Sequence, residues 1–122
     1  MQKPRSLRKL VLGGILINCI LLNSAIAHHG WTGYDEQKTL NLTGTIRESG
    51  YDNPHGFVRL QVDGKTWMVV LAPPTRMESR GLQRDALKPG TTATVVGYPN
   101  RSNPDELRAE RITIDGKTTE LR

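Results

Sequence analysis

"GFVRLQVDGKTWMVVLA", residues 56–72, reads as two strands joined by the shortest kind of turn. Val58, Leu60 and Val62 alternate with Phe57, Arg59 and Gln61, the period of two that gives a strand one buried and one outward face. "KTWMVVLA" then starts directly after Asp63-Gly64, a dipeptide suited to a two-residue hairpin because glycine accepts positive φ. Trp67 and Met68 are chain neighbours and point to opposite faces, so at most one of them can serve a site on this sheet.

The same alternation extends outward from the hairpin. In "TLNLTGTIRE", residues 39–48, Leu40, Leu42, Gly44 and Ile46 form one face against Asn41, Thr43, Thr45 and Arg47, which makes the first three strands a meander. After Pro73-Pro74, "TRMESRG" offers Thr75 as N-cap, Glu78 three residues on as its capping-box partner and Gly81 as terminator. So short a helix depends on tertiary packing. "LKPGTTATVVGYP", residues 87–99, places a Pro-Gly turn before a β-branched run, and "LRAERITIDGKTTEL", residues 107–121, adds a strand, an Asp115-Gly116 turn and a short final strand. This order predicts an all-β fold, a small five- to six-stranded OB-fold-like barrel with one short helix between strands 3 and 4. A small open sandwich is the alternative. In such barrels ligands lie on the second and third strands and their flanking loops, and fold alone does not give function.

The amino-terminal segment has a different character. "MQKPRSLRKL" carries Lys3, Arg5, Arg8 and Lys9 without an acid, and "VLGGILINCILLNSAIA" follows with Ala25 and Ala27 in the two small-residue positions. That order predicts a secretory signal peptide over residues 1–27, cut after Ala27, with a retained N-terminal anchor as the alternative, and a single domain over residues 28–122. The apolar stretch is shorter than the about 20 residues of a comfortable membrane span, so the processed protein is expected to be periplasmic with no stable membrane anchor. "LINC", residues 16–19, has the outline of a lipoprotein box, but Asn18 is a poor residue there and the apolar run continues past Cys19. Four of the chain's 17 basic residues lie in the leader, so 13 basic residues face 12 acidic ones after it. The high pI belongs mostly to the leader. Neither the charge nor the compartment then favours a nucleic-acid partner. Cys19 is the only cysteine and leaves with the leader, which excludes disulfides and thiolate chemistry from the domain.

Two functional readings follow from the remaining residues. The chain has three histidines, His28, His29 and His55. If His28 becomes the first residue, its α-amine and ring nitrogen can close a chelate, and planar nitrogen donors favour Cu(II). His29 could add its ring, and His55, after the Asn53-Pro54 turn in "YDNPHGF", could supply a donor fixed by the fold. Met68 or Met77 would offer a thioether to Cu(I), and Trp31 or Trp67 a shield. The other reading is a non-catalytic binding module whose barrel face, including Tyr51, Phe57, Arg59 and Trp67, receives a peptide, glycan or partner protein. Plainer roles stand beside these: Trp67 as packing, the methionines as gap-fillers, His55 as a loop hydrogen-bonder and His28-His29 as a frayed terminus. Enzymatic signatures are lacking, with no nucleophile elbow, phosphate loop or zincin motif. The charges of "ELRAER", residues 106–111, read as a solvated strand face.

The set His28-His29, Tyr34-Asp35, Leu42-x-Gly44, Asn53-Pro54-His55, Trp67, Arg80-Gly81-Leu82, Leu87-Lys88-Pro89-Gly90, Val96-x-Tyr98-Pro99 and Asp115-Gly116 resembles the exported bacterial family known as domain of unknown function 6152. The resemblance implies an exported small β-domain and brings no activity with it. The chain departs from the family pattern at Gly30-Trp31, where Ser-Phe is usual, and at Tyr51, where tryptophan is usual. A looser similarity, through His55, Trp67 and Met68, is to small periplasmic copper chaperones of the same barrel class.

Overall fold

The computed structural model describes residue 2 and residues 30–122, so the expected leader, its cut after Ala27, and both His28 and His29 lie outside the described residues. The chain divides into units Met1–Gly30 and Trp31–Arg122, and every element below belongs to the second. Six strands form it: β1 (Leu40–Gly50), β2 (Phe57–Val62), β3 (Lys65–Val70), β4 (Thr92–Pro99), β5 (Glu106–Ile114) and β6 (Lys117–Glu120). One helix, α1 (Pro74–Ser79), and a 3-10 turn at Arg84–Leu87 lie between β3 and β4, while a 3-10 turn at Trp31–Gly33 precedes β1. No helix among the described residues is long and apolar enough to cross a membrane.

β1 pairs antiparallel with both β2 and β4, β2 with β3, and β4 with β5. A parallel pairing of β3 with β5, from Met68 opposite Glu106 to Val70 opposite Arg108, closes the sheet on itself. The result is a five-stranded barrel in the circular order 1-2-3-5-4, with β6 added as a hairpin on the far half of β5. Closure removes the strand edges that a small open sheet would expose. The predicted OB-fold-like barrel, with its helix between strands 3 and 4, is the observed architecture.

Alternation places the core. Ile46, Val58, Leu60, Val69, Val95, Leu107 and Ile112 are at most 1% exposed and fill the barrel. Burial of side chains this size contributes about 1.5–3 kcal/mol each relative to exposure. Met77 of α1 is also fully buried and reaches Gly56, where an added Cβ would stand 2.5 Å from its Cε. α1 is thereby seated at the start of β2.

Two glycines permit the tight closure. β1 changes partner from β4 to β2 at Thr45, which opposes both Thr92 and Gln61. At the preceding Gly44 a Cβ would lie 2.1 Å from the Gln61 carbonyl oxygen. At Gly97, beside the irregularity between β4 and β5, a Cβ would lie 2.1 Å from the Arg108 carbonyl oxygen.

The structure corrects two local expectations. α1 starts one residue before Thr75: Pro73 is the N-cap, Pro74 opens the helix, and no side chain caps it. Proline suits that first position because its missing N–H would have had no intrahelical partner. Glu78 therefore does not complete a capping box. Gly81 does end the helix, at φ 84°, with Leu82 N–H donating to Met77 O at 2.8 Å and Gly81 N–H to Glu78 O at 3.0 Å. That Schellman pattern brings buried Leu82 to buried Met77. In the β2–β3 hairpin the positive φ falls on Asp63, at 52°, and not on Gly64. In the β5–β6 hairpin both Asp115 and Gly116 take positive φ, as a type I′ turn requires.

Candidate ligand-binding site

A row of side chains crosses the outside of the barrel. Val58, Val69, Leu107 and Ala109 point inward and are fully buried, so their neighbours Phe57, Val70 and Arg108 point outward. Phe57 opposes Val70 across β2 and β3, Val70 opposes Arg108 across β3 and β5, and Arg108 opposes Tyr98 across β5 and β4. With adjacent strands about 4.8 Å apart, Phe57 and Arg108 stand about 10 Å from each other. Arg59 and Met68, opposite each other, form the next row of the same face. Phe57, Met68 and Val70 are half-buried and Arg59 is exposed, in a surface ion pair with Glu48 at 3.1 Å.

Arg108 is 7% exposed although it faces outward. The Trp31–Gly33 turn and Tyr34 cover it: its guanidinium carbon lies 4.4 Å from the centre of the Trp31 ring and 6.0 Å from that of Tyr34. Tyr34 is held there by its bridge to Asn100 and by Arg101 N–H donating to Gly33 O at 2.9 Å. The Arg122 guanidinium also stands over Trp31, at 4.3 Å, and Tyr98 meets that ring edge-on at 6.0 Å.

The polar partners are distributed unevenly. Tyr34 OH donates to Glu106 Oε2 at 2.5 Å, Asn100 Nδ2 donates to the same oxygen at 2.9 Å, and Tyr98 OH donates to Glu110 Oε2 at 2.5 Å. Arg122 pairs with Glu36 and lies 3.8 Å from Glu110. Arg108 has no carboxylate within ion-pair distance among the described residues; its one hydrogen bond runs from Nη2 to His55 Nε2 at 3.2 Å, and its buried Nε has no partner. Burial first, then the charges of Arg76 and Arg122, pull the Arg108 pKa down, while Tyr34 opposes them. Burial, then the hydrogen bond and charge of Glu106, push the Tyr34 phenol up to about 12.

His55 is placed by its neighbours in sequence. Gly56 extends the β2–β3 ladder, its N–H donating to Ala72 O at 2.9 Å and its carbonyl accepting from Leu71 N–H at 2.8 Å. α1 sits on Gly56 through Met77 and so brings Arg76 near the imidazole, while Arg76 Nη1 donates to Leu121 O at 3.0 Å. Guanidinium nitrogens only donate, so Nε2 of His55 accepts and the neutral ring carries its proton on Nδ1. Burial, then the charges of Arg108 and Arg76, hold the His55 pKa below its ordinary value.

The residues singled out from sequence do not converge on one surface. Phe57 and Arg59 share the outer face, and His55 lies at its end. Tyr51 is instead 5% exposed within the core, its OH donating to Leu82 O at 2.5 Å and its ring meeting Arg84 at 5.3 Å. Trp67 opposes Leu60 and therefore turns toward the core side, capped by Lys65 at 3.7 Å. Strand register turns Trp67 inward, while Tyr51, just past the end of β1, is held inward by its bond to Leu82 O. No group of three or more His, Cys, Asp or Glu side chains is placed to hold a metal among the described residues. Sequence reading missed Arg108 and Arg76, and took "ELRAER" for a solvated face; Arg108 is covered by residues far away in sequence.

A separate groove of about 450 Å³ lies between Leu82, Ala86, Ile114 and Thr119, rimmed by Lys88 and Lys117 with Asp85 and Asp115. Its charges are mixed, and Lys117 is already spent on Gly81 O at 3.0 Å.

Fold and site define a small closed β-barrel of OB-fold-like class carrying a covered arginine on its outer face. The chain belongs to the Family of unknown function (DUF6152), which matches residues 17–108. No curated protein matches it. It is similar to the solved structure of TiaS in complex with a tRNA and ATP, at 20% identity and a TM-score of 0.51, over 73% of this chain and 20% of that one. A ZRD-deleted mutant of TiaS in complex with agmatine is similar at 20% identity and a TM-score of 0.49, over 72% of this chain and 25% of that one. The chain thus spans a quarter or less of these proteins, and the first likeness concerns the fold alone. The looser likeness to periplasmic copper chaperones is not carried by either structure.

Proposed function

We propose that this protein is an exported, periplasmic and non-catalytic binding module, released by cleavage after Ala27, whose ligand is a peptide, glycan or partner protein lying across the outer face of β2, β3 and β5. The observation that carries the reading is the row Phe57, Val70, Arg108: half-buried apolar groups running directly into a buried cation. An apolar centre beside a few placed polar groups is the usual make-up of a recognition surface. Its position on the second and third strands matches the common ligand side of such barrels. Labelled protein on peptide and glycan arrays tests it: Phe57→Ala and Met68→Ala should weaken capture about tenfold or more, whereas an Asp85→Ala change in the separate groove should leave it unaltered. Capture indifferent to Phe57 and Met68 would remove the reading.

One observation keeps copper as a second reading. His55 is neutral with an Nε2 lone pair, here accepting from Arg108, and that is the form in which an imidazole ligates a metal. A site using His28, His29 and His55 would have to displace Arg108 from Nε2 beside two guanidinium groups, which disfavours a divalent cation. Cu(II) titration decides it: the copper reading requires His55→Ala to lower affinity, and unchanged affinity reduces it to a terminal chelate.

A further inference from the structure

We propose that the outer face ends in a receptor for the free C-terminal carboxylate of a peptide, with Arg108 and Arg76 as its cationic donors and His55 beside them. This rests on the reading of that face as the ligand surface. Arg108 is more than nine-tenths buried, its Nε is unpartnered, and no carboxylate pairs with it among the described residues. A guanidinium taken out of water needs a partner for its charge and its N–H groups, and stacking on the Trp31 and Tyr34 rings leaves its Nε–H without an acceptor. The site therefore has an unmet demand for an anion. The acids nearest in sequence do not meet it, since Glu106 and Glu110 accept from the phenols of Tyr34 and Tyr98. Arg122 is satisfied by Glu36 and Glu110, whereas Arg76 binds only the Leu121 carbonyl.

The neighbouring surface selects the kind of carboxylate. Val70 and Phe57 follow Arg108 along the row, so a group bound at Arg108 has apolar contact beside it, as the last side chain of a peptide requires. A uronic acid would want an open aromatic platform, but guanidinium groups of Arg108 and Arg122 already stand over the Trp31 ring, at 4.4 and 4.3 Å. Entry displaces Trp31 from Arg108, so indole fluorescence reports it. A carboxylate that takes Arg108 Nη2 leaves His55 Nε2 without its donor and brings negative charge to the ring. His55 is faced by Arg108 from β5 and Arg76 from α1, with Tyr34, Glu106 and Arg122 around Arg108. Added anion offsets the two cations, so binding takes up a proton and strengthens as pH falls.

Calorimetry on the full chain tests this with N-acetylated tetrapeptides of random sequence, bearing either a free C-terminal carboxylate or an amide. The free acids should bind at least about tenfold tighter than the amides. They should also bind tighter at pH 5.5 than at pH 7.5, with the pH effect lost in His55→Gln and the acid preference lost in Arg76→Gln and Arg108→Gln. If Arg108→Gln does not fold, the acid-to-amide ratio of the unaltered protein and the Arg76→Gln variant still decide. Equal binding of acid and amide, with Phe57→Ala weakening both, overturns the carboxylate receptor while the ligand face stands. Failure of both to bind overturns the peptide receptor, and the array comparison with Phe57→Ala then decides the ligand face by itself. Glucuronate binding where peptide acids do not overturns the peptide assignment.

Discussion

At the scale of single residues the telling group is Arg108, a buried guanidinium hydrogen-bonded to the ring of His55. His55 has a lowered pKa, so between that value and about 6.5 the unfolded chain carries a proton that the native ring refuses. The unfolded state then binds more protons, and stability rises with pH. The His55 contribution is complete above about 6.5 and is lost as pH falls through the lowered folded value. Chemical denaturation from pH 5 to 8 should show this slope in the native sequence and a flatter one in His55→Gln; identical slopes contradict the Arg108–His55 contact. All three tyrosines are raised: Tyr34, to about 12, and Tyr51 chiefly by burial, Tyr98 chiefly by its hydrogen bond to Glu110. Native protein titrated at 295 nm should show no phenol ionising at the ordinary value of about 10. Raised phenols favour the folded state below pH 10, and that support disappears as pH climbs toward the folded values. Much of this was illegible in the sequence. His55 was legible as a candidate because Asn53-Pro54 announces a turn, but nothing local marks Arg108: it has ordinary charged neighbours, and what buries it lies at Trp31 and Tyr34.

Among the elements, glycines separate what the turn signals encode from what closure demands. Gly44→Ala and Gly97→Ala each press a methyl onto a carbonyl oxygen, so each should destabilise by at least about 1–3 kcal/mol, measured by urea midpoint. Gly81→Ala and Gly116→Ala place a side chain at φ 84° and 75° and should cost about 1 kcal/mol. Gly64→Ala meets open space without a positive φ and should fall within about 0.5 kcal/mol of the parent. A large loss there would restore the turn that the dipeptide first suggests. Asp and Gly both tolerate the left-handed region, so an Asp-Gly pair locates a hairpin without saying which residue carries the positive φ. Strand alternation was readable because its period is local. α1 starts ahead of the Thr75 signal because Pro74 already has the φ of a first helical residue and needs no side-chain cap.

For the whole molecule, the element order and the single core follow from alternation and turn spacing, and they narrow the fold to a barrel or a sandwich. What decides between them is the parallel contact of β3 with β5, a long-range pairing that leaves no periodic trace in either strand. The same closure brings Val70 beside Arg108 and so joins two separately written segments into one face. Mapping ligand contacts on the folded domain shows whether that face receives the ligand. In ¹H–¹⁵N spectra titrated with the free-acid tetrapeptides, the largest shifts should fall on Phe57, Val70, Arg108 and the Trp31 indole. Shifts gathered instead on Leu82, Ala86, Ile114 and Lys117 would place the ligand in the separate groove and contradict the account.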